Sequence, residues 1–283
     1  MSMNTFNTYE TAWCPGCGNF NILASLKTAL EELGKDPYEV LMMAGIGQAA
    51  KTPQYISANS FCGLHGRSLP AAVAAKMANE DLTVIVNTGD GDSYGEGGNH
   101  FIHNIRRNVN ITHFVHDNQI YGLTKGQASP NSSEGHVTGI QTTGSINTPL
   151  NPLLMSIAAG ASFVARAFSG DKKHLVSIMK QAIEYDGYAI VDIFQPCITF
   201  NKINTFGYYK ERVYHLEEDY DPTNKLAAME KSMESGDRLP IGVIYQENKT
   251  SFHKKNPILS GGKPLVDRKR DLNQLEKLIE EFI

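Results

Sequence analysis

Apolar positions along the chain switch between two periods. Residues 19–33 place Ile22, Leu26, Ala29, Leu30 and Leu33 at helical spacing, with Gly34 following as a cap. Residues 40–44 form a short apolar run, which predicts a buried strand entering the turn Gly45-Ile46-Gly47. Residues 66–79 are Ala-rich and predict a helix, with Pro70 near its start, where proline is tolerated. Further strands are predicted at 82–88, 111–116, 163–168 and 188–194, and helices at 97–107, 152–160 and 172–185. Strands that alternate with helices predict an α/β fold with a doubly wound, mostly parallel sheet covered on both faces. Ligands in such sheets bind beyond the carboxyl ends of the strands. Gly45-Ile46-Gly47, Asp90 and Asn118 all fall at strand ends, so they are expected on one edge.

Residues 125–149 are rich in Ser, Thr, Gly and Asn, too long for an idle connection. Past residue 199 the alternation fades. The tail reads as aromatic, charged and irregular up to a short helix at 272–282. The expected organisation is a ligand-binding domain over 1–199 and a C-terminal extension over 200–283 that packs on a partner. A length of 283 residues suits one large domain with an extension.

The net charge of −4 gives no reason to expect nucleic acid as a partner. No run of about 18 uncharged apolar residues occurs, so no membrane span is expected. The polar start, with Glu10, lacks the basic and apolar regions of a signal peptide. A cytoplasmic location is the resulting expectation. Four cysteines in a chain of this length suggest ligand, redox or core roles rather than a disulfide framework.

The chemistry concentrates at the predicted sheet edge. The strand at 82–88 runs into Gly89-Asp90-Gly91-Asp92, and the strand at 111–116 into Asp117-Asn118. Mg²⁺ takes near-octahedral oxygen ligation, commonly one or two carboxylates plus phosphate oxygens. Asp90, the Asn118 side-chain oxygen and a nearby backbone carbonyl would supply half a shell, with a diphosphate and water completing it. Gly89 and Gly91 let the backbone approach a phosphate closely. Gly95, Gly97 and Gly98 lead into a helix whose N-terminus favours anionic charge. Two simpler readings compete. The Asp90 segment resembles the opening of an EF-hand loop, but the twelfth position is Phe101 rather than Glu and a strand precedes it. It also reads as an ordinary Gly/Asp turn.

Gly89-Asp90-Gly91 and Asn118, with 26 residues between Gly91 and Asn118, resemble the thiamine diphosphate signature. The run from Ile120 through Tyr121-Gly122-Leu123-Thr124-Lys125-Gly126 to Pro130 narrows the resemblance. So do Leu64-His65-Gly66-Arg67, Cys14-Pro15-Gly16-Cys17-Gly18 and Gln195-Pro196-Cys197. Together these resemble the β subunit of a 2-oxoacid:ferredoxin oxidoreductase, over residues 13–214. The resemblance implies the thiamine diphosphate-binding fold of the diphosphate type. It implies that Asp90, Asn118 and the Ile120 carbonyl ligate Mg²⁺. Ile46, Gly47, Gln48, Ala49, Gly91, Asp92, Gly122 and Leu123 would line the cofactor, and His65 would sit near it with a catalytic role. Lys125 would meet the substrate carboxylate. The implied reaction is oxidative decarboxylation of a 2-oxoacid, pyruvate or 2-oxoglutarate, with ferredoxin taking electrons and coenzyme A the acyl group. The implied partner is an α subunit that bears the pyrimidine-binding domain and the activating glutamate, in a heterodimer. A non-oxidative thiamine diphosphate-dependent decarboxylase or synthase subunit is the alternative.

The resemblance also implies a [4Fe–4S] cluster, which four thiolates usually hold. Cys14, Cys17 and Cys197 match three ligand positions. The fourth position, in the Gly-x-Gly-Cys turn, is Gln48 here, which leaves Cys62 as the candidate. Cys62 as a core cysteine, a zinc site, and a thioredoxin-like Cys14/Cys17 pair stay open beside it. His100, His103, His113 and His116 are expected to be hydrogen-bonded residues beside the site rather than metal ligands. Asp92 has a second reading as the cap of the following turn.

Overall fold

The computed structural model describes residues 6–269 and 272–283. Its strands are β1 (Val40–Ala44), β2 (Asn59–Cys62), β3 (Thr83–Gly89), β4 (Ile111–Asp117), β5 (Ile120–Tyr121), β6 (Gln127–Ala128), β7 (Phe163–Phe168), β8 (Tyr188–Phe194), β9 (Val213–His215) and β10 (Leu239–Gln246). Eight of them form one sheet in the order β2-β1-β3-β4-β8-β7-β10-β9. The six from β2 to β7 are mutually parallel, and β10 joins β7 antiparallel. β5 and β6 make a separate small hairpin. Strands β1, β7 and β8 have the bounds that their apolar runs predict, while β3 lies one residue later and β4 ends one residue later.

Alternation along the strands explains the layers. In β8, Ala189, Val191 and Ile193 point to one core cluster, and Tyr188 and Ile190 to the other. The first cluster packs under α1 (Asn19–Glu32). The second includes Leu69 and Ala72 of α2 (Ser68–Ala78), Phe101 and Ile105 of α3 (Gly98–Arg107), and Leu153 and Ile157 of α4 (Pro152–Ala158). On the first face α1 packs beside α5 (Lys172–Glu184), which adds Leu175, Ile178 and Met179. Two helix starts follow the capping rule: the Asn151 side chain accepts from Leu154 N at 3.0 Å and the Asp171 side chain from His174 N at 3.1 Å.

The segment after residue 199 holds more regular structure than its pattern predicts. Helices α6 (Phe206–Arg212), α7 (Lys225–Met233) and α8 (Phe252–Lys255) accompany β9 and β10, before α9 (Leu272–Glu280). Tyr209, Leu239 and Ile241 pack on Phe168 and Phe194, at the carboxyl ends of β7 and β8. Among the described residues, no helix is long and apolar enough to cross a membrane.

The chain leaves β1 for β2 on one side and returns to β3 on the other. The carboxyl ends of β1 and β3 therefore flank a topological switch point, where open α/β sheets form their ligand crevice.

Candidate active site

The turn Gly45-Ile46-Gly47 follows β1, Asp90 follows β3 and Asn118 follows β4. Pairing of Ala44 with Asn87 and of Gly89 with His116 sets these three strand ends side by side. One cleft there is lined by Ile46, Gly47, Gln48, Ala49, His65, Asp90, Gly91, Asp92, Asn118, Ile120, Gly122 and Leu123, together with Gly89, Tyr121 and Thr124. All predicted cofactor and Mg²⁺ positions thus converge. Lys125 stands apart from the lining, exposed at the tip of the β5–β6 hairpin with φ +78°. The cleft measures about 50 Å³, against the roughly 300–1,000 Å³ of whole-ligand sites. It is too small to enclose a whole ligand of that size.

Asp90 is 1 % exposed and opens a π-helical turn over Gly91–Glu96. Such turns are rare and recur at functional sites. Ser129 Oγ donates to Asp90 Oδ2. Burial first, and the nearby Asp192 charge next, push the Asp90 carboxyl up to about 7, although Ser129 and backbone N–H groups pull it down. Asp90 takes part in no ion pair among the described residues. Asn118 Oδ1 accepts from Ile120 N at 3.1 Å, and Asn118 Nδ2 donates to Gln195 Oε1 at 3.0 Å. That fork turns the chain from β4 into β5.

Asp92 is not a cap. Its Oδ1 accepts from Ile46 N at 3.1 Å and from Gly66 N at 2.7 Å, so it ties the turn after β1 to the loop before α2. Burial raises its carboxyl, and these two donors oppose that shift. His65 Nδ1 lies 2.9 Å from Asp92 Oδ1 and 3.4 Å from Glu96 Oε2, an ion-pair distance without hydrogen-bond alignment.

Two glycines are required by the geometry. Gly47 has φ +130° and nothing within 4 Å of where a Cβ would stand, so its backbone is bare toward an incoming group. At Gly91 a Cβ would stand 2.3 Å from the Tyr121 ring. Gly91→Ala is therefore expected to push Tyr121 and its hairpin off the cleft. A loss of about 1–3 kcal/mol in thermal or denaturant unfolding would register this. Unchanged stability would contradict it.

Sequence reasoning did not find Ser129, Tyr121 or Gln195. Tyr121, in the two-residue β5, lines the cleft, while Ser129 and Gln195 follow β6 and β8 and bond to Asp90 and Asn118, so no periodicity marks them. Two of the four histidines are buried and hydrogen-bonded: His113 bonds to Thr88 Oγ1 (2.8 Å), Ser93 Oγ (2.9 Å) and Tyr188 Oη (2.7 Å), and His116 to Asn19 Oδ1 (2.8 Å). Burial drives both down to about 3, so they are neutral.

A second cavity, next to the cleft, is lined by Cys14, Cys17 and Cys197 with Trp13, Gln48 and Gln195. Cys17 is pushed up to about 11, chiefly by burial, with smaller contributions from Cys197 and Cys14. Cys62 does not line this cavity. It ends β2, exposed to solvent rather than in the core, with Sγ 4.0 Å from the Ala50 carbonyl. Among the described residues, no three His, Cys, Asp or Glu side chains stand close enough to hold a single metal ion.

Comparison with known proteins follows the same lines. The family model for the thiamine pyrophosphate enzyme C-terminal TPP binding domain matches residues 40–193, which makes the sheet a thiamine diphosphate-binding enzyme domain. The model for the C-terminal part of the pyruvate ferredoxin oxidoreductase beta subunit matches residues 197–260. The 2-oxoacid:ferredoxin oxidoreductase subunit beta of Saccharolobus solfataricus is 46 % identical, over 86 % of this chain and 84 % of its own. The 2-oxoglutarate synthase subunit KorB of Methanocaldococcus jannaschii is 34 % identical, over 85 % and 89 %. A solved structure of 2-oxoglutarate:ferredoxin oxidoreductase from Magnetococcus marinus, with 2-oxoglutarate, coenzyme A and succinyl-CoA bound, superposes with a TM-score of 0.89. It is 37 % identical, over 96 % of this chain and 94 % of that one. The chain belongs to the family of 2-oxoacid:ferredoxin oxidoreductase β subunits. The non-oxidative alternative gives way to this assignment.

Proposed function

We propose that the cleft at the ends of β1, β3 and β4 holds the diphosphate end of thiamine diphosphate, with Mg²⁺ on Asp90, Asn118 Oδ1 and the Ile120 carbonyl. The observation that carries this reading is Asp90: a buried carboxylate, raised to about 7 and lacking a cationic partner, in a cleft walled by glycine backbone. A divalent cation and a diphosphate satisfy both features.

The reaction is oxidative decarboxylation of a 2-oxoacid. The 2-oxoacid and the coenzyme A thiol give an acyl thioester, CO₂, one proton and two electrons, and ferredoxin takes the electrons singly. Thiamine diphosphate, when bound, supplies the electron sink for decarboxylation. This chain's residues bind and orient. Gly47 and Gly91 admit the diphosphate to the backbone. Asp92 holds the two flanking loops in register. His65, kept toward the cleft by Asp92 and Glu96, is placed to donate a hydrogen bond to an anionic group there. Lys125 offers a cation from the hairpin tip to the carboxylate of the 2-oxoacid. 2-Oxoglutarate is the substrate favoured by the relatives that bind or are named for it.

Calorimetry of thiamine diphosphate and Mg²⁺ on the complex with its partner subunit tests the reading. Tight, Mg²⁺-dependent binding is expected, and no binding to a competent complex ends the proposal. Lys125→Ala is expected to raise KM for the 2-oxoacid about tenfold, one lost charge-assisted contact, with thiamine diphosphate affinity unchanged. A steady-state comparison over a panel of 2-oxoacids, with a viologen acceptor, checks this and ranks the substrates.

The [4Fe–4S] cluster does not fit these residues as the cofactor does. One cavity collects three thiols where four are needed, and Cys62 is outside it.

A further inference from the structure

The cysteine cavity and the cofactor cleft share a wall. Gln48, Asn118 and Gly122 line both. Trp13 Nε1 donates to the Gln48 carbonyl at 2.8 Å, which fixes this residue against the segment that holds Cys14. Gln48 Oε1 is buried and has no hydrogen-bond partner. Across the cavity, Gln195 Nε2 lies 3.5 Å from Cys17 Sγ, and Gln195 Oε1 accepts from Asn118. Gln48 thus stands between the proposed electron source and the three thiols.

We infer that Gln48 occupies the place of the fourth cluster ligand and that this chain holds no four-thiolate iron–sulfur cluster. Iron–sulfur clusters select soft thiolates, and a carboxamide oxygen is a hard donor that does not replace one. Cys62 does not compensate, because its sulfur faces the Ala50 carbonyl from the solvent-exposed end of β2. The iron–sulfur carrier that first receives single electrons is therefore held by another chain, either a partner subunit or ferredoxin docked directly. The inference concerns iron alone and stands apart from the thiamine diphosphate reading.

The experiment uses the whole complex, purified without oxygen. Iron and acid-labile sulfide per β subunit, and electron paramagnetic resonance after reduction, are compared across variants. Wild type, Cys17→Ala and Cys62→Ala are expected to carry the same iron. Gln48→Cys is expected to gain about four irons and four sulfides per β subunit, together with a new signal on reduction. Adding Cys17→Ala to Gln48→Cys should remove that gain. Loss of about four irons from Cys17→Ala or Cys62→Ala on the wild-type background overturns the inference. So does a Gln48→Cys complex that gains none, since Gln48 is then not at the ligand position. Thiamine diphosphate binding is measured in parallel and is expected to be unchanged in Cys17→Ala, so a failure of the cofactor reading is seen separately.

Discussion

Asp90→Ala is expected to cut turnover of the assembled enzyme by more than about a hundredfold. Removing a group that only supports a metal ligand costs roughly 10–100-fold, and Asp90 is proposed as a ligand itself. The same substitution should abolish the Mg²⁺ dependence of thiamine diphosphate binding in calorimetry. Wild-type turnover in this variant refutes the role. Asp90→Asn separates function from folding, because it keeps the shape and removes the charge. The Asp90 carboxyl sits at about 7 in the folded, cation-free chain, against an ordinary 3.8. As pH falls from about 7 to about 4, the folded chain takes up a proton that the unfolded chain does not. This group therefore adds stability on acidification and subtracts it above neutrality. With chelator present, Asp90→Asn is expected to melt above wild type at about pH 8, and the gap should narrow on acidification and close by about pH 4. A gap that widens on acidification contradicts the assignment. Lower activity with higher stability is the usual signature of a group kept for function.

How far this site was readable beforehand depends on which element delivers each residue. β1, β7 and β8 were readable because each is a short, mostly apolar run, interrupted only by Arg166 in β7 and Asp192 in β8, as suits a strand buried on both faces. The parallel order of β1, β3 and β4 then puts Gly47, Asp90 and Asn118 on one edge. β2 was not readable: Asn59-Ser60-Phe61-Cys62 is exposed along its whole length and shows no apolar run. β10 contains Pro240 and Gly242, two residues that argue against a strand until the edge position of β10's first residues and the register shift near Val243 are known. Ser129, Tyr121 and Gln195 were hidden for another reason. Ser129 and Gln195 lie just beyond strand ends and Tyr121 in the two-residue β5, so their positions are settled by tertiary contacts that no local pattern records.

The second large effect concerns the partner. This chain alone, loaded with thiamine diphosphate and Mg²⁺, is expected to run at less than about one hundredth of the rate of the complex. The cleft is about 50 Å³, too small to enclose a whole cofactor-sized ligand. Its two carboxylates are already committed, Asp90 to Ser129 and the proposed cation, Asp92 to Ile46 and Gly66. Neither is free to move a proton on the aminopyrimidine ring, and general acid–base assistance is worth about 10²–10⁴-fold. Titrating the α subunit into a fixed amount of this chain, with 2-oxoglutarate, coenzyme A and a viologen acceptor, measures the gain. A chain that turns over at full rate without its partner shows that the second half of the site lies within it.

The outermost strand of the sheet has a consequence for how the protein must be handled. β2 pairs with β1 on one side only, and its four residues are exposed. A free strand edge is a template for another chain's backbone and a route to misassembly. This edge is blunted by its shortness and by Asn59, whose amide binds the carbonyls of Tyr38 (2.9 Å) and Val40 (3.2 Å) and turns inward. The protection ends at the Cys62 end, where an accessible thiol sits on the unpaired margin. Preparations made in air join a sticky edge to an oxidisable sulfur, so reductant during purification guards the solubility of the chain as well as its redox chemistry.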